Sequence, residues 1–163
     1  MPGVDQLPMT ILAVGRIASP LKEAALEYES RLKHYDKMLL LELPDQREPS
    51  ALSPALIEQL KQKEGTAILE RLKPGDHVIV LCIEADQVSS EAFAQRLAAL
   101  RLSAKPLVFV IGGSHGLGRA VLARADEKLS LSGLTMPHQL ARVVLLEQLY
   151  RACKILAHER YHK

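Results

Sequence analysis

Residues 107–118 read Leu-Val-Phe-Val-Ile-Gly-Gly-Ser-His-Gly-Leu-Gly. Five apolar residues run straight into two glycines. A strand that is apolar throughout has both faces buried, and such strands belong to parallel sheets covered by helices on each side. The glycines then form the turn at the strand's carboxyl end, where main-chain amides can approach a ligand closely. Ligands of parallel sheets bind beyond those carboxyl ends.

Working outward, similar strands are expected at Thr10–Val14, Met38–Leu43 and His77–Ile83, with a shorter one at Lys128–Leu131. Amphipathic stretches separate them. Ser19-Pro20 and Ser53-Pro54 each offer a cap and a first-turn proline, for helices through about Lys33 and towards Leu72. Ser90 can cap a helix to about Leu102, and a short helix is expected at Arg119–Arg124. A long final helix spans roughly His138–Ala157. This alternation predicts one α/β domain over residues 1–163, a mostly parallel sheet with helices on both faces. Three strand-end loops become candidates for the site: after Ile83, at Gly112–Gly118 and at Leu131–Pro137. The final helix carries Leu140, Val143, Val144, Leu145, Leu146, Leu149, Ala152, Cys153, Ile155 and Leu156 on more than one face. A helix apolar nearly all round must be buried on two sides, which predicts packing on the chain's own sheet and on a second copy.

Gly112-x-Ser114-x-Gly116 also fits the nucleophile elbow of serine hydrolases, with Asp126 and His138 downstream as triad partners. Gly112, Gly116 and Gly118 resemble a dinucleotide-binding turn, but that motif belongs after a first strand, and only 45 residues follow Gly118. A third reading is a backbone-lined loop for another ligand.

The composition is that of a soluble globular protein: 48% hydrophobic and 25% charged, with no Trp and two Phe. No apolar run approaches the roughly 20 residues that span a bilayer. The first residues lack the charged-then-apolar signature of a signal segment, so a cytoplasmic location is expected. Cys82 and Cys153 sit in apolar surroundings far apart, as buried thiols and not as a disulfide or metal site. Residues 1–118 carry 13 Lys and Arg against 15 Asp and Glu, whereas residues 119–163 carry 8 against 4. A basic C-terminal third can meet a polyanion.

The order and spacing of the C-terminal motifs go further. Phe109–Gly116 (FVIGGSHG), Leu129–His138 (LSLSGLTMPH), Arg142-Val143 and Glu147–Ala152 (EQLYRA) lead to a terminal Tyr161-His162-Lys163. Together with Ala13-Val14-Gly15 near the start, they closely resemble the RlmH family, SPOUT-class pseudouridine N3-methyltransferases of bacterial large-subunit ribosomal RNA. The resemblance covers essentially the whole chain. It implies a deep C-terminal trefoil knot, a homodimer, S-adenosyl-L-methionine as cofactor, and pseudouridine 1915 of 23S ribosomal RNA in assembled ribosomes as target. It also implies a cofactor pocket of Leu81, Gly112, Leu131, Ser132, Gly133, Leu134, Thr135 and Met136. Leu131, Leu134 and Met136 would form an apolar slot for adenine. The chain departs from the family at Ala85-Asp86, where a glycine and a lysine are usual.

The implied reaction needs positioning, electrostatic help and a proton acceptor for the ring N3, and calls for no metal. The catalytic candidates are His138, Arg142, Glu147, Arg151, Tyr161 and His162. Arg142 and Arg151 are expected to contact phosphate, with Glu147 holding Arg151. Tyr161 is expected to stack on the target base, and His162 to act as base or substrate contact.

Overall fold

The computed structural model describes residues 7–163; the first six, where a leader would begin, lie outside the described residues. Among the described residues the strands are β1 (Met9–Val14), β2 (Met38–Leu43), β3 (His77–Leu81), β4 (Leu107–Ile111) and β5 (Glu127–Leu129). The helices are α1 (Leu21–Leu32), α2 (Pro54–Leu69), α3 (Ser90–Leu102), α4 (Arg119–Arg124) and α5 (His138–Leu156). The strands form one sheet in the order β2-β1-β4-β3-β5, and every ladder is parallel.

Side-chain alternation divides the interior into two layers. Ile11, Ala13, Ile79 and Phe109 pack with Ala25 and Leu32 of α1, Leu97 of α3, and Leu145, Leu146 and Leu149 of α5. Leu12, Val14, Val78, Val80, Val108 and Val110 face the other way, onto Ile68 of α2 and Val121 of α4. Burying each large aliphatic side chain contributes about 1.5–3 kcal/mol, which is what holds the layers together. Gly65 lies inside α2 without interrupting it. A methyl group there would come within 3.3 Å of Val121 Cγ2, so the glycine lets α2 lie against α4.

Several boundaries differ from the sequence reading. β3 stops at Leu81, because Cys82 and Ile83 turn outward and Ile83 is exposed. β5 covers Glu127–Leu129, with only an isolated bridge from Ser130 to Gln87 beyond it. Ser89, not Ser90, caps α3 by accepting from Ala92 N at 3.1 Å, while Ser90 Oγ donates to Gln148 on α5. Ser53 caps α2 as expected, but Pro20 occupies the cap position of α1 and leaves Ser19 outside the helix. Cys82 is half-buried, its thiol on Glu84, and only Cys153 is fully buried.

Half of the ten apolar residues named on α5 are buried inside the chain. The helix lies between α1 and α3 over β4, which accounts for Leu145, Leu146, Leu149, Ala152 and Cys153. Leu140 is left 38% exposed near its start. No helix among the described residues is long and apolar enough to cross a membrane.

Candidate active site

The strand order sets the carboxyl ends of β4, β3 and β5 side by side, although their loops lie far apart in sequence. Gly112 follows β4 in a turn closed by Gly116 N donating to Gly113 O at 3.0 Å. A methyl group on Gly112 would lie 2.9 Å from Leu117 Cδ2 and 3.0 Å from the Gly116 carbonyl carbon. Because one of those neighbours is backbone, the loop itself must move to admit a side chain. Gly112→Ala is therefore expected to weaken S-adenosyl-L-methionine binding at least about tenfold while the chain stays folded. Calorimetric titration of the variant checks this, and unchanged affinity would remove Gly112 from the pocket.

Leu81, at the end of β3, is half-buried between the two flanking loops. The loop after β5 is stapled internally: Ser130 Oγ donates to Ser132 O at 3.1 Å and Leu134 N donates to Ser132 Oγ at 3.0 Å. Gly133 stands against Gln87, whose amide nitrogen would be 3.1 Å from a methyl group there. Leu131 and Met136 are half-buried and Thr135 is exposed. Leu134 is 78% exposed in the single chain, at a loop tip that Ser132 turns into solvent.

The second half of α5 and the tail form a compact charged cluster. Arg151 Nη2 donates to Glu147 Oε1 at 2.6 Å, one helical turn away, and this bond holds the guanidinium above its ordinary pKa. The same guanidinium lies 4.7 Å over the Tyr161 ring. Tyr161 Oη donates to Glu147 Oε1 at 3.1 Å. Burial, then the charge of Glu147, pushes the phenol up to about 12, so it remains a neutral donor. Tyr161 is not free to stack on a base, because Arg151 covers its face and Tyr150 packs edge-on at 4.9 Å. His162 lies between Arg151 Nη1, 3.2 Å from Nδ1, and Glu91 Oε1, 2.6 Å from Nε2.

Arg142 and His138 lie elsewhere, near the start of α5. Arg142 is only 1% exposed. Its Nη2 donates to Gly15 O at 2.9 Å and to Glu42 Oε2 at 3.4 Å. Nη1 lies 3.3 Å from the same carboxylate but off the hydrogen-bond direction, and both Nη1 and Nε are buried without a bond. Arg142 is thus an internal brace for the loop after β1, out of reach of phosphate. His138 opens α5 with its ring against Gly15, which has φ +91 and no room for a side chain. Glu147 and Arg151 sit nine and thirteen residues further on, about 13 and 20 Å along the helix. The six catalytic candidates are therefore two groups within one chain.

A cavity of about 470 Å³ opens beyond β1, β2 and β4, lined by Asp45, Gln46, Arg47, Glu48, Leu60, Glu64, Ser114 and His115. His115 Nε2 meets Glu48 Oε1 there at 2.7 Å. Burial holds Glu64 above its ordinary carboxylate value, partly opposed by a bond from Gln46 N. Folded Glu64 thus binds its proton more tightly than the unfolded chain does. That favours folding in acid and is lost as pH rises through the folded value. Glu64→Gln should accordingly raise Tm at pH 7 and leave it nearly unchanged near pH 4. An equal gain at both values would show that charge is not the cause.

The hydrolase reading fails on geometry. Asp126 accepts from Val78 N at 2.8 Å, at the amino-terminal end of β3, whereas Ser114 lies beyond the carboxyl end of β4. Glu91 and Gln87, which join the tail and the Leu131–Met136 loop to the start of α3, were invisible in the sequence. Glu91 reads there only as an acid in a helix's first turn.

The residues at the β4, β3 and β5 ends offer glycines with closely approached backbone and half-buried Leu81, Leu131 and Met136. This suits a flat apolar-and-polar ligand such as S-adenosyl-L-methionine. Among the described residues no group of His, Cys, Asp and Glu could hold a metal ion.

Comparison with known proteins adds to this geometry. The model of a family described as predicted SPOUT methyltransferase matches residues 7–162. Among solved structures, a hypothetical protein is 14% identical with TM-score 0.52, over 91% of this chain and 68% of that one. A protein assigned to a methylase family, from Neisseria gonorrhoeae, is 12% identical with TM-score 0.50, over 99% and 100%. The SpoU methyltransferase AviRb of Streptomyces viridochromogenes, solved in complex with AdoMet, is 13% identical with TM-score 0.46, over 98% and 61%.

Proposed function

The chain belongs to the SPOUT methyltransferase family, and from that footing we propose that it methylates N3 of a pseudouridine in 23S ribosomal RNA. The observation that carries this reading is the sheet order, which sets the Gly112, Leu81 and Leu131–Met136 loops side by side with the tail cluster adjoining them. Gln87 bridges to Ser130 of the last loop, and Glu91, four residues further on in the first turn of α3, holds His162.

In this reading Leu81, Gly112, Leu131, Ser132, Gly133, Leu134, Thr135 and Met136 hold S-adenosyl-L-methionine. When bound, the cofactor supplies an electrophilic methyl group. Backbone groups at Gly112 and Gly133 orient it. Arg151, aligned by Glu147, meets the negative charge of the RNA or of the ring as N3 loses its proton. His162 accepts that proton. Tyr161 fixes the direction of Arg151 and donates through its hydroxyl. Arg142 and His138 brace the loop after β1 on which the substrate side of the crevice rests.

The reading includes the knotted threading of the C-terminal segment, a homodimer that covers Leu134 and Leu140, a cytoplasmic location and the ribosome as partner. Arg142 is internal, while Arg124, Arg151 and Lys154 are paired with Asp126, Glu147 and Glu159. Those acids belong to the same segment, so its excess of four remains, with Arg119, Lys128, Arg160 and Lys163 outside these pairs. An excess so small leaves recognition of RNA resting on shape more than on charge.

The test is calorimetric titration with S-adenosyl-L-methionine, followed by a tritiated-methyl assay on ribosomes lacking the modification. Label in 23S ribosomal RNA, mapped to pseudouridine, supports the reading. Cofactor binding with label only in transfer RNA would reassign the substrate. No cofactor binding would leave a ribosome-binding protein without methyl transfer.

A further inference from the structure

The tail histidine is hydrogen-bonded at both ring nitrogens by partners whose roles are unambiguous. Arg151 can only donate, so the Nδ1 atom facing its Nη1 at 3.2 Å must carry a lone pair. Glu91 accepts through its carboxylate, so the Nε2 atom 2.6 Å from its Oε1 must carry the hydrogen. The bond from His162 also holds the Glu91 carboxyl below its ordinary value, which keeps it an acceptor. The tautomer of His162 is thus set from two sides, by Arg151 and by a residue 71 positions away on a different helix.

We propose that Glu91, in the first turn of α3, is the positioning residue that makes Nδ1 of His162 the proton-accepting atom. The inference rests on the methyl-transfer reading above and deepens it. In the RNA-free chain Arg151 covers that lone pair; a phosphate or the target ring drawing the guanidinium aside uncovers it. The ring N3 then gives its proton to Nδ1 and its electron pair forms the bond to the methyl carbon. The carbon–sulfur bond breaks with both electrons staying on sulfur, leaving a neutral thioether. His162 becomes an imidazolium whose Nε2–H still donates to Glu91, and it returns the proton to solvent. The groups facing His162 are Glu91 from α3, Arg151 and, behind it, Glu147 from α5, and Tyr161 from the tail.

The carboxylate of Glu91 also interacts with its own backbone N–H and with the Ser89 hydroxyl. In Glu91→Gln those donors retain the amide oxygen and leave the amide NH2 facing Nε2. That arrangement favours hydrogen on Nδ1, which opposes the Arg151 donor and removes the working lone pair. Glu91→Ala leaves Nε2 to water, since the Glu91 side chain is 56% exposed, and Arg151 still selects the correct tautomer.

Nitrogen-15 imidazole spectra of the full-length protein, assigned with His162→Asn, report the tautomer without any ligand. Single-turnover methylation reports the rate. The expected results are hydrogen on Nε2 in the wild type and on Nδ1 in Glu91→Gln. The rate should fall roughly 10–100-fold in Glu91→Gln and less in Glu91→Ala, with cofactor affinity held within about twofold. A packing role for Glu91 would reverse the order of the two variants and overturn the proposal, as would hydrogen on Nδ1 in the wild type. A wild type that methylates RNA, with Glu91→Gln equally fast, overturns this assignment alone. A wild type with hydrogen on Nε2 that transfers no methyl group overturns the functional reading and the assignment with it.

Discussion

Arg142→Ala is expected to destabilise the folded chain by about 3 kcal/mol or more, the range found when one partner of a buried ion pair is removed. Three losses combine. The Gly15 carbonyl loses the donor at 2.9 Å that satisfies it. Glu42 loses its cation, although at 36% side-chain exposure water recovers part of that interaction. The aliphatic stem of Arg142, one of the largest fully buried side chains, leaves a void between α5 and β1. In a chain of this length the change corresponds to a fall in Tm of roughly 10 °C. Arg142→Met, which fills the volume but not the bonds, should fall between wild type and alanine. The salt dependence of RNA binding should be the same for Arg142→Met as for wild type, because the side chain meets no phosphate. A shallower salt slope would return Arg142 to the RNA surface.

Deleting residues 161–163 is expected to lower methyl transfer by about 10²–10³-fold, the loss of a proton acceptor together with the alignment of Arg151. The tail contributes His162 and the Tyr161 ring under the guanidinium, and nothing to the internal bonds of the Ser130–Leu134 loop. Cofactor affinity should therefore persist. Stability should fall by only about 1 kcal/mol, since Tyr161 is half-buried and its main packing partner is Tyr150. Equilibrium binding of S-adenosyl-L-methionine and single-turnover methylation separate the two effects. Lost cofactor affinity would make the tail part of the cofactor pocket, and retained activity would make it dispensable.

What the sequence revealed and concealed follows from the range of the forces involved. Met38–Leu43, Leu107–Ile111 and Arg119–Arg124 were readable to the residue, because local apolar patterning and nearby glycines or prolines bound them. The bond between Glu147 and Arg151 was readable too, being four apart on a helix. The end of β3 was not: Cys82 and Ile83 continue the apolar run, and only the short β5 alongside decides where pairing stops. Arg142 sits on a helix as a charge among leucines, and nothing local distinguishes a cation bound to a distant carbonyl from one in water. Leu134 is the opposite case, an apolar residue that Ser132 turns outward in the single chain. His162 was a candidate from its place in the tail, but its chemistry depends on Glu91, which no spacing could join to it.

The central ladder also has a temporal consequence. β1 lies between β2 and β4, and its inner partner begins only at Leu107, paired with Met9. Nearly a hundred residues must be made before the middle of the sheet can close, and β5 and α5 come later still. Until then Met9 to Ala13 have no strand partner on that side, and β1 with β2 is a two-stranded ribbon of marginal stability. A nascent or truncated chain ending before β4 should thus stay open and prone to association. The complete chain should fold slowly for its size, because its decisive contacts are so distant along the polymer.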